Sequence, residues 1–169
     1  MKSENKIITL LKLVKYRDWV FEVDRDLTEK TYSNVLGSGA DYCVCNDCKN
    51  YVAYRDKVFP AEVLELFKDL GIDFRKEVEM VSLEKLANGL YHIGGWFHFK
   101  GQILSGKDFK VPIAGGEGFT FDLTKISENF SIGFGVCNDL TFFEDKHQLV
   151  QVEFETNIPW VIDNSLETN

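Results

Sequence analysis

The chain has 169 residues, 44% hydrophobic and 27% charged, with a formal net charge of −8. That length fits one domain burying roughly 70% of its unfolded surface, so it can fold without disulfide staples. An acidic chain repels phosphate backbones, which argues against nucleic acid as a partner, and no apolar run approaches the ~18 residues of a membrane span.

The charge is unevenly spread. Residues 1–17 carry five Lys/Arg and one Glu, a local +4, so the rest of the chain carries −12. The apolar run Ile7 to Leu11 is too short for a signal-peptide core, and Lys12 breaks it. A cytoplasmic location is therefore expected, with cysteines reduced or metal-bound. The basic, apolar segment 1–17 is peripheral and could lie on an anionic membrane, but such a segment more often packs on its own domain as an edge strand or short helix. The acidic body suits solubility or a basic protein partner.

Trp19, Phe21 and Val23 alternate with Val20, Glu22 and Asp24, the period of a strand with one wet face. Gly37-Ser38-Gly39 reads as a flexible loop. A helix is expected after Asn46 or Asp47, either of which can cap it, with Cys48, Tyr51, Val52 and Arg55 along one side. A second helix begins at Pro60, carries Val63, Leu64, Phe67 and Leu70 as its stripe, and ends at Gly71. Residues 82–87 suggest one more helical turn before Asn88-Gly89.

The second half reads as strands. Leu90 to Ile93 and Trp96 to Phe99 flank Gly94-Gly95, a two-residue hairpin signal. Such a turn would put His92 and His98 on opposite faces, unable to share a metal. Phe119, Phe121 and Leu123 alternate with polar residues, as do Phe130, Ile132, Phe134 and Val136, and then Val150, Val152, Phe154 and Ile158. Helices cluster in the middle and strands follow. The expected fold is a single α+β domain over residues 1–169, a largely antiparallel sheet with two or three helices packed on one side.

Three of the four cysteines fall within six residues: Cys43, Cys45 and Cys48. Three readings fit. The first is a metal site, with zinc as the expected ion. Cys45-x-x-Cys48 has chelating spacing, Cys43 lies two residues earlier, and Cys137 or His92 is the candidate fourth ligand, with His98 and His147 behind them. The second is redox chemistry at Cys45 and Cys48, with Cys48 in the first turn of a helix. The third is packing, because free cysteine is among the most buried residue types.

The carboxylate pairs Asp24/Asp26 and Glu153/Glu155 have same-face strand spacing. Acid–base work needs their pKa values pushed apart, and alternation puts the second pair on a polar, solvated face. Arg55-Asp56 reads as a salt bridge near the cysteines. Gly115-Gly116-Glu117-Gly118 has neither the following Lys nor the helix start of a phosphate loop.

Cys43-x-Cys45-x-x-Cys48-x-Asn50-Tyr51, Arg55-Asp56, Phe59-Pro60-x-Glu62, the run Gly89 to Phe99 and Ile158-Pro159-Trp160-Val161 together resemble an uncharacterised family of bacterial hypothetical proteins. The resemblance covers roughly residues 41–104 and 148–162. It implies a bacterial, cytoplasmic protein without pointing to a particular activity, and Cys137 lies outside its pattern.

The functional expectation is a non-enzymatic binding or interaction protein whose cysteine-rich turn is structural or holds zinc. A specific version is an acidic protein that neutralises a basic partner, as toxin-immunity proteins do. The alternative is a thiol-dependent redox enzyme using Cys45 and Cys48.

Overall fold

The structure is a computed structural model and describes residues 10–167. Strands β1 (Lys12–Tyr16) and β2 (Trp19–Val23) open the chain and form a hairpin. Helices α1 (Arg25–Asn34), α2 (Gly39–Tyr42), α3 (Asn46–Tyr54) and α4 (Ala61–Leu70) follow. Then come β3 (Glu79–Lys85), β4 (Tyr91–Ser105), β5 (Lys110–Pro112), β6 (Phe119–Phe121), β7 (Thr124–Ser127), β8 (Phe130–Gly135) and β9 (Leu149–Ile158). The main sheet runs β1-β2-β4-β9-β8-β7, with β3 also on β4, and β5-β6 form a separate ribbon. Every pairing is antiparallel. The chain is an α+β domain, as the sequence pattern predicts.

The basic N-terminal segment contributes edge strand β1, with Val14 and Tyr16 buried. Its residues 1–9 lie outside the described residues. No helix among the described residues is long and apolar enough to cross a membrane.

One face of the sheet is apolar. Ile93, Phe97 and Phe99 of β4 lie beside Val150, Val152 and Phe154 of β9 and Ile132 and Phe134 of β8, all buried. Helices cover this face. Phe67 of α4 meets Phe97 at 4.9 Å between ring centroids, and Phe59 meets Phe154 at 5.2 Å. Tyr51 of α3 stacks on Phe154 at 6.5 Å. Offset and edge-to-face contacts of this kind add to the burial itself. Gly71 ends α4 in a left-handed conformation, and the Ile72 N–H closes back on the Phe67 carbonyl at 2.8 Å.

Two local expectations are corrected. Residues 82–87 are not helical: Glu79–Lys85 is a strand paired with β4. The turn between them is at Asn88-Gly89, where Gly89 has φ +85° and the Asn88 side chain accepts from the Leu90 N–H. Gly94-Gly95, in contrast, lies inside the continuous strand β4. A side chain at Gly95 would put Cβ 2.5 Å from the Glu79 carbonyl and 2.9 Å from the Phe154 ring. The glycine serves close packing rather than a turn. His92 and His98 therefore share a face, six residues and about 20 Å apart along the strand.

β3 pairs with β4 as far as Trp96, and β2 takes over at Gly101. Helix α1 fills the gap. The Tyr32 hydroxyl donates to the His98 carbonyl (2.9 Å) and accepts from the His98 N–H (3.0 Å), and Thr28 Oγ1 accepts from the Lys100 N–H (3.0 Å). Side chains stand in for a missing strand, because buried backbone groups need partners. Tyr32→Phe should cost about 2–4 kcal/mol, since two buried backbone groups lose their partner. Urea unfolding would show it as a lower midpoint at unchanged slope. A loss under about 0.5 kcal/mol would mean that the gap is solvated.

Candidate metal centre

Asn34 to Cys48 crosses one end of the helical layer. Ser38 caps α2 by accepting from the Asp41 N–H, and the Asp41 carboxylate accepts from the Ser38 N–H. This reciprocal cap fixes a turn where a flexible loop was expected. Gly39 lies against β3, where an added Cβ would be 2.3 Å from the Val78 carbonyl. Beneath the turn is Glu77, whose side chain is fully buried. It faces the Arg55 guanidinium (3.5 Å), the Tyr51 hydroxyl (3.3 Å) and the Ala40 N–H (3.4 Å). Arg55 also reaches Asp41 (3.3 Å) and Ser38 (3.0 Å). Burial pushes the Glu77 carboxyl above its usual range, and Ser38, backbone N–H groups and Arg55 pull against that without reversing it. Asp56, the expected partner of Arg55, pairs with Arg75 instead.

This network holds the cysteine turn. Cys45, not Asn46 or Asp47, is the residue that caps α3: its Sγ accepts from the Cys48 N–H at 3.4 Å. Cys43 Sγ lies 3.2 Å from Cys45 Sγ. All three sulfurs lie within 4.8 Å of one another. A zinc–sulfur bond of ~2.3 Å in a tetrahedron separates sulfurs by about 3.8 Å, which lies within that 4.8 Å limit.

The thiols differ. Hydrogen bonds from the Cys45 N–H, then from the Cys45 and Cys48 thiols, draw the Cys43 thiol below its ordinary range. Burial pushes the Cys48 thiol far up, and its two neighbours add to the shift. Cys43 therefore ionises well before Cys48. Cys45 is exposed, as are Tyr42 and Val44, so the centre opens to solvent. The N-terminus of α3 presents its partial positive charge there.

The candidate fourth ligands lie elsewhere. His92 Nε2 is 3.2 Å from Glu155, with Glu84 on its other nitrogen at 3.9 Å. Cys137 follows β8, with its thiol 4.0 Å from an Asp139 oxygen. His147 is on the same loop, where its carbonyl accepts from Lys100 at 2.6 Å. Among the described residues, the only group of three or more such ligands is Cys43, Cys45 and Cys48.

Sequence reasoning passed over a second polar cluster, on the sheet face away from α3 and α4. The loop 136–148 covers that face and is held by three alternate residues of β4. Trp96 Nε1 donates to the Leu140 carbonyl (3.3 Å), His98 Nε2 to the Cys137 carbonyl (2.8 Å), and Lys100 Nζ to the Asp145 carboxylate (2.6 Å). Below them Gln151 donates to the Glu153 carboxylate at 2.6 Å. Glu153 is buried, not solvated as alternation suggested, and burial pushes its pKa up to about 7. Burial takes His98 down to about 4. The Gln151 amide lies beside the His98 ring without a well-aligned bond to Nδ1, which is buried and unpartnered. Asp24 and Asp26 are not an acid–base pair: Asp24 caps α1 through the Leu27 N–H, and Asp26 is in its first turn.

A hollow of about 650 Å³ lies between α1 and α4. Two of its cations are already engaged, Arg25 by Glu29 and the Lys68 carbonyl, Lys76 by Asp73 and the Tyr32 carbonyl. The three thiols are thus the strongest candidate site. No family model, curated protein or solved structure matches the chain.

Proposed function

We propose that the chain is a non-enzymatic binding protein whose Cys43–Cys45–Cys48 turn is a metal centre, with zinc as the ion. The observation that carries this reading is the convergence of three sulfurs within 4.8 Å on a turn anchored by a buried ion network. Zinc would tie α2 to the start of α3, so binding would contribute to the stability of that end of the domain. The acidic charge of −8 favours a basic protein as the partner, with association slowed by salt.

Metal content of protein purified without chelator or affinity metal tests the centre. The expected result is one zinc per chain, with three of the four thiols masked until a chelator is added. Cys48→Ser should lose the zinc, and Cys137→Ser should retain it. Metal-free protein that takes up no added zinc and keeps four free thiols would defeat the reading.

One observation favours a second reading. The 3.2 Å contact between Cys43 and Cys45, with the Cys43 thiol drawn toward ionisation, fits thiol–disulfide exchange at that pair. The redox pair expected from sequence was Cys45 and Cys48. Burial holds Cys48 in its protonated form, so Cys43 would be the attacking thiol.

A further inference from the structure

The ligand set of this centre is three sulfurs, and among the described residues no fourth Cys, His, Asp or Glu ligand atom lies within 4.8 Å of all three. Zinc requires a fourth donor from outside the set. Trivalent arsenic and antimony do not: each makes three bonds in a pyramid, and a lone pair occupies the remaining direction. We propose that Cys43, Cys45 and Cys48 together form a receptor for trivalent arsenic or antimony, taken up as the neutral hydroxide. The inference rests on the reading that the three thiols act as one ligand set, and it deepens that reading by naming a ligand.

Geometry, charge and proton balance all favour it. The narrow angles of a pyramidal centre draw sulfurs closer than a tetrahedron does, toward the 3.2 Å between Cys43 and Cys45. The lone pair can point to the solvent opening beside exposed Cys45. Three thiolates on a trivalent ion make a neutral complex. On zinc they carry −1, in an acidic protein and with Cys48 in the core. Zinc binding must also release three thiol protons to solvent. Arsenous acid brings its own bases. Three As–O bonds break, three As–S bonds form, and each departing hydroxide leaves with one thiol proton as water. Arsenic remains trivalent, and no oxidant or reductant is consumed. Cys43 and exposed Cys45, 3.2 Å apart, make the first two bonds, and buried Cys48 closes the third.

Titration of the reduced full chain with sodium arsenite, followed by intact mass and a free-thiol count, tests the proposal. The expected adduct gains one arsenic and loses three hydrogens, leaving Cys137 as the free thiol. Its affinity should be nearly flat between about pH 6 and pH 8, whereas zinc affinity rises with pH. Cys43→Ser and Cys48→Ser should each weaken arsenite binding on the order of tenfold or more, because one arm of a chelate is lost. Cys43 is only half-buried, so its variant keeps the test valid should Cys48→Ser unfold. Cys137→Ser should bind as the natural chain does. An adduct in which arsenic keeps one hydroxyl and only two thiol hydrogens are lost, or unchanged affinity in both Cys43→Ser and Cys48→Ser, would overturn the proposal. Stoichiometric zinc without a three-thiol arsenic adduct would refute this inference and leave the zinc reading intact. Arsenic without zinc would support it and refute zinc as the ion. Neither ion binding would refute both.

Discussion

Glu77→Ala should destabilise the domain by about 2–4 kcal/mol, because Arg55 loses one of its two carboxylates and two further donors lose their acceptor. Arg55 keeps Asp41, whose carboxylate is partly exposed, while the Tyr51 hydroxyl and the Ala40 N–H lose their acceptor. The damage should not stay local. The same carboxylate lies under α2, which carries Cys43 at its C-terminus, so alkylation of half-buried Cys43 should accelerate as the turn loosens. Tyr51 and the Ala40 N–H donate to different oxygens of Glu77, and Glu77→Gln keeps one of the two acceptors, so its deficit should be smaller than that of the alanine variant. Its pH dependence also has a defined sign. Burial raises the Glu77 pKa in the folded state, so the native carboxyl favours its proton more than the unfolded one does. Its contribution is fully present below the unfolded value and declines as pH rises, so the deficit of Glu77→Gln should shrink with rising pH. Urea midpoints across the acidic range, paired with alkylation rates, measure both effects. If Glu77→Ala costs less than about 1 kcal/mol and leaves the thiol rates unchanged, the network is not what holds the turn.

The cysteine turn was legible because its ligands are local: three thiols at i, i+2 and i+5 can converge with little help from the rest of the fold. What holds the turn was not legible, because Glu77 and Arg55 meet across 22 residues and nothing in either neighbourhood marks the pairing. Period-2 alternation revealed β2, β8 and β9, and Pro60 with Gly71 marked α4, since those signals arise within one element. Helix α1 gave no stripe, for only Thr28 and Tyr32 are buried along it and both are polar-ended. Its role is to satisfy the backbone of β4, a task without a hydrophobic signature. The glycine pair in β4 imitated a turn signal because glycine answers two needs, left-handed conformation and close approach, and here the second applies. Glu153 was placed on the correct face but in the wrong medium. Alternation separates the faces of a strand, and only the loop 136–148 makes the polar face of β9 an interior.

That interior should give the protein two opposed pH dependences that single substitutions separate. The folded pKa of Glu153 is raised to about 7, so its contribution is fully present below the unfolded value near 4.5 and is lost as pH climbs through about 7. The loss amounts to about 3 kcal/mol, since each pH unit between the folded and unfolded values is worth about 1.4 kcal/mol. His98 behaves in the opposite sense. Its folded pKa is lowered to about 4, so neutral His98 imposes no penalty above 6.5, and a cost of about 3 kcal/mol develops as pH falls from 6.5 toward 4. Between those limits the two slopes largely cancel, which hides both groups in the natural protein. Glu153→Gln should therefore gain about 3 kcal/mol relative to the parent between pH 4.5 and 7, and His98→Gln about as much between pH 6.5 and 4. The groups facing the pair are Gln151 between them, Glu155 beside Glu153 and Lys146 near the ring. Gln151 bonds Glu153 and lies beside His98, so the double variant should depart from additivity by a fraction of the single effects, about 0.5 kcal/mol or more. Denaturant titrations at closely spaced pH values on the parent, both singles and the double provide the measurement. Parallel stability curves for Glu153→Gln and the parent would mean that water reaches the carboxylate beneath the 136–148 loop, and the loop would then be a loose cover rather than part of the core.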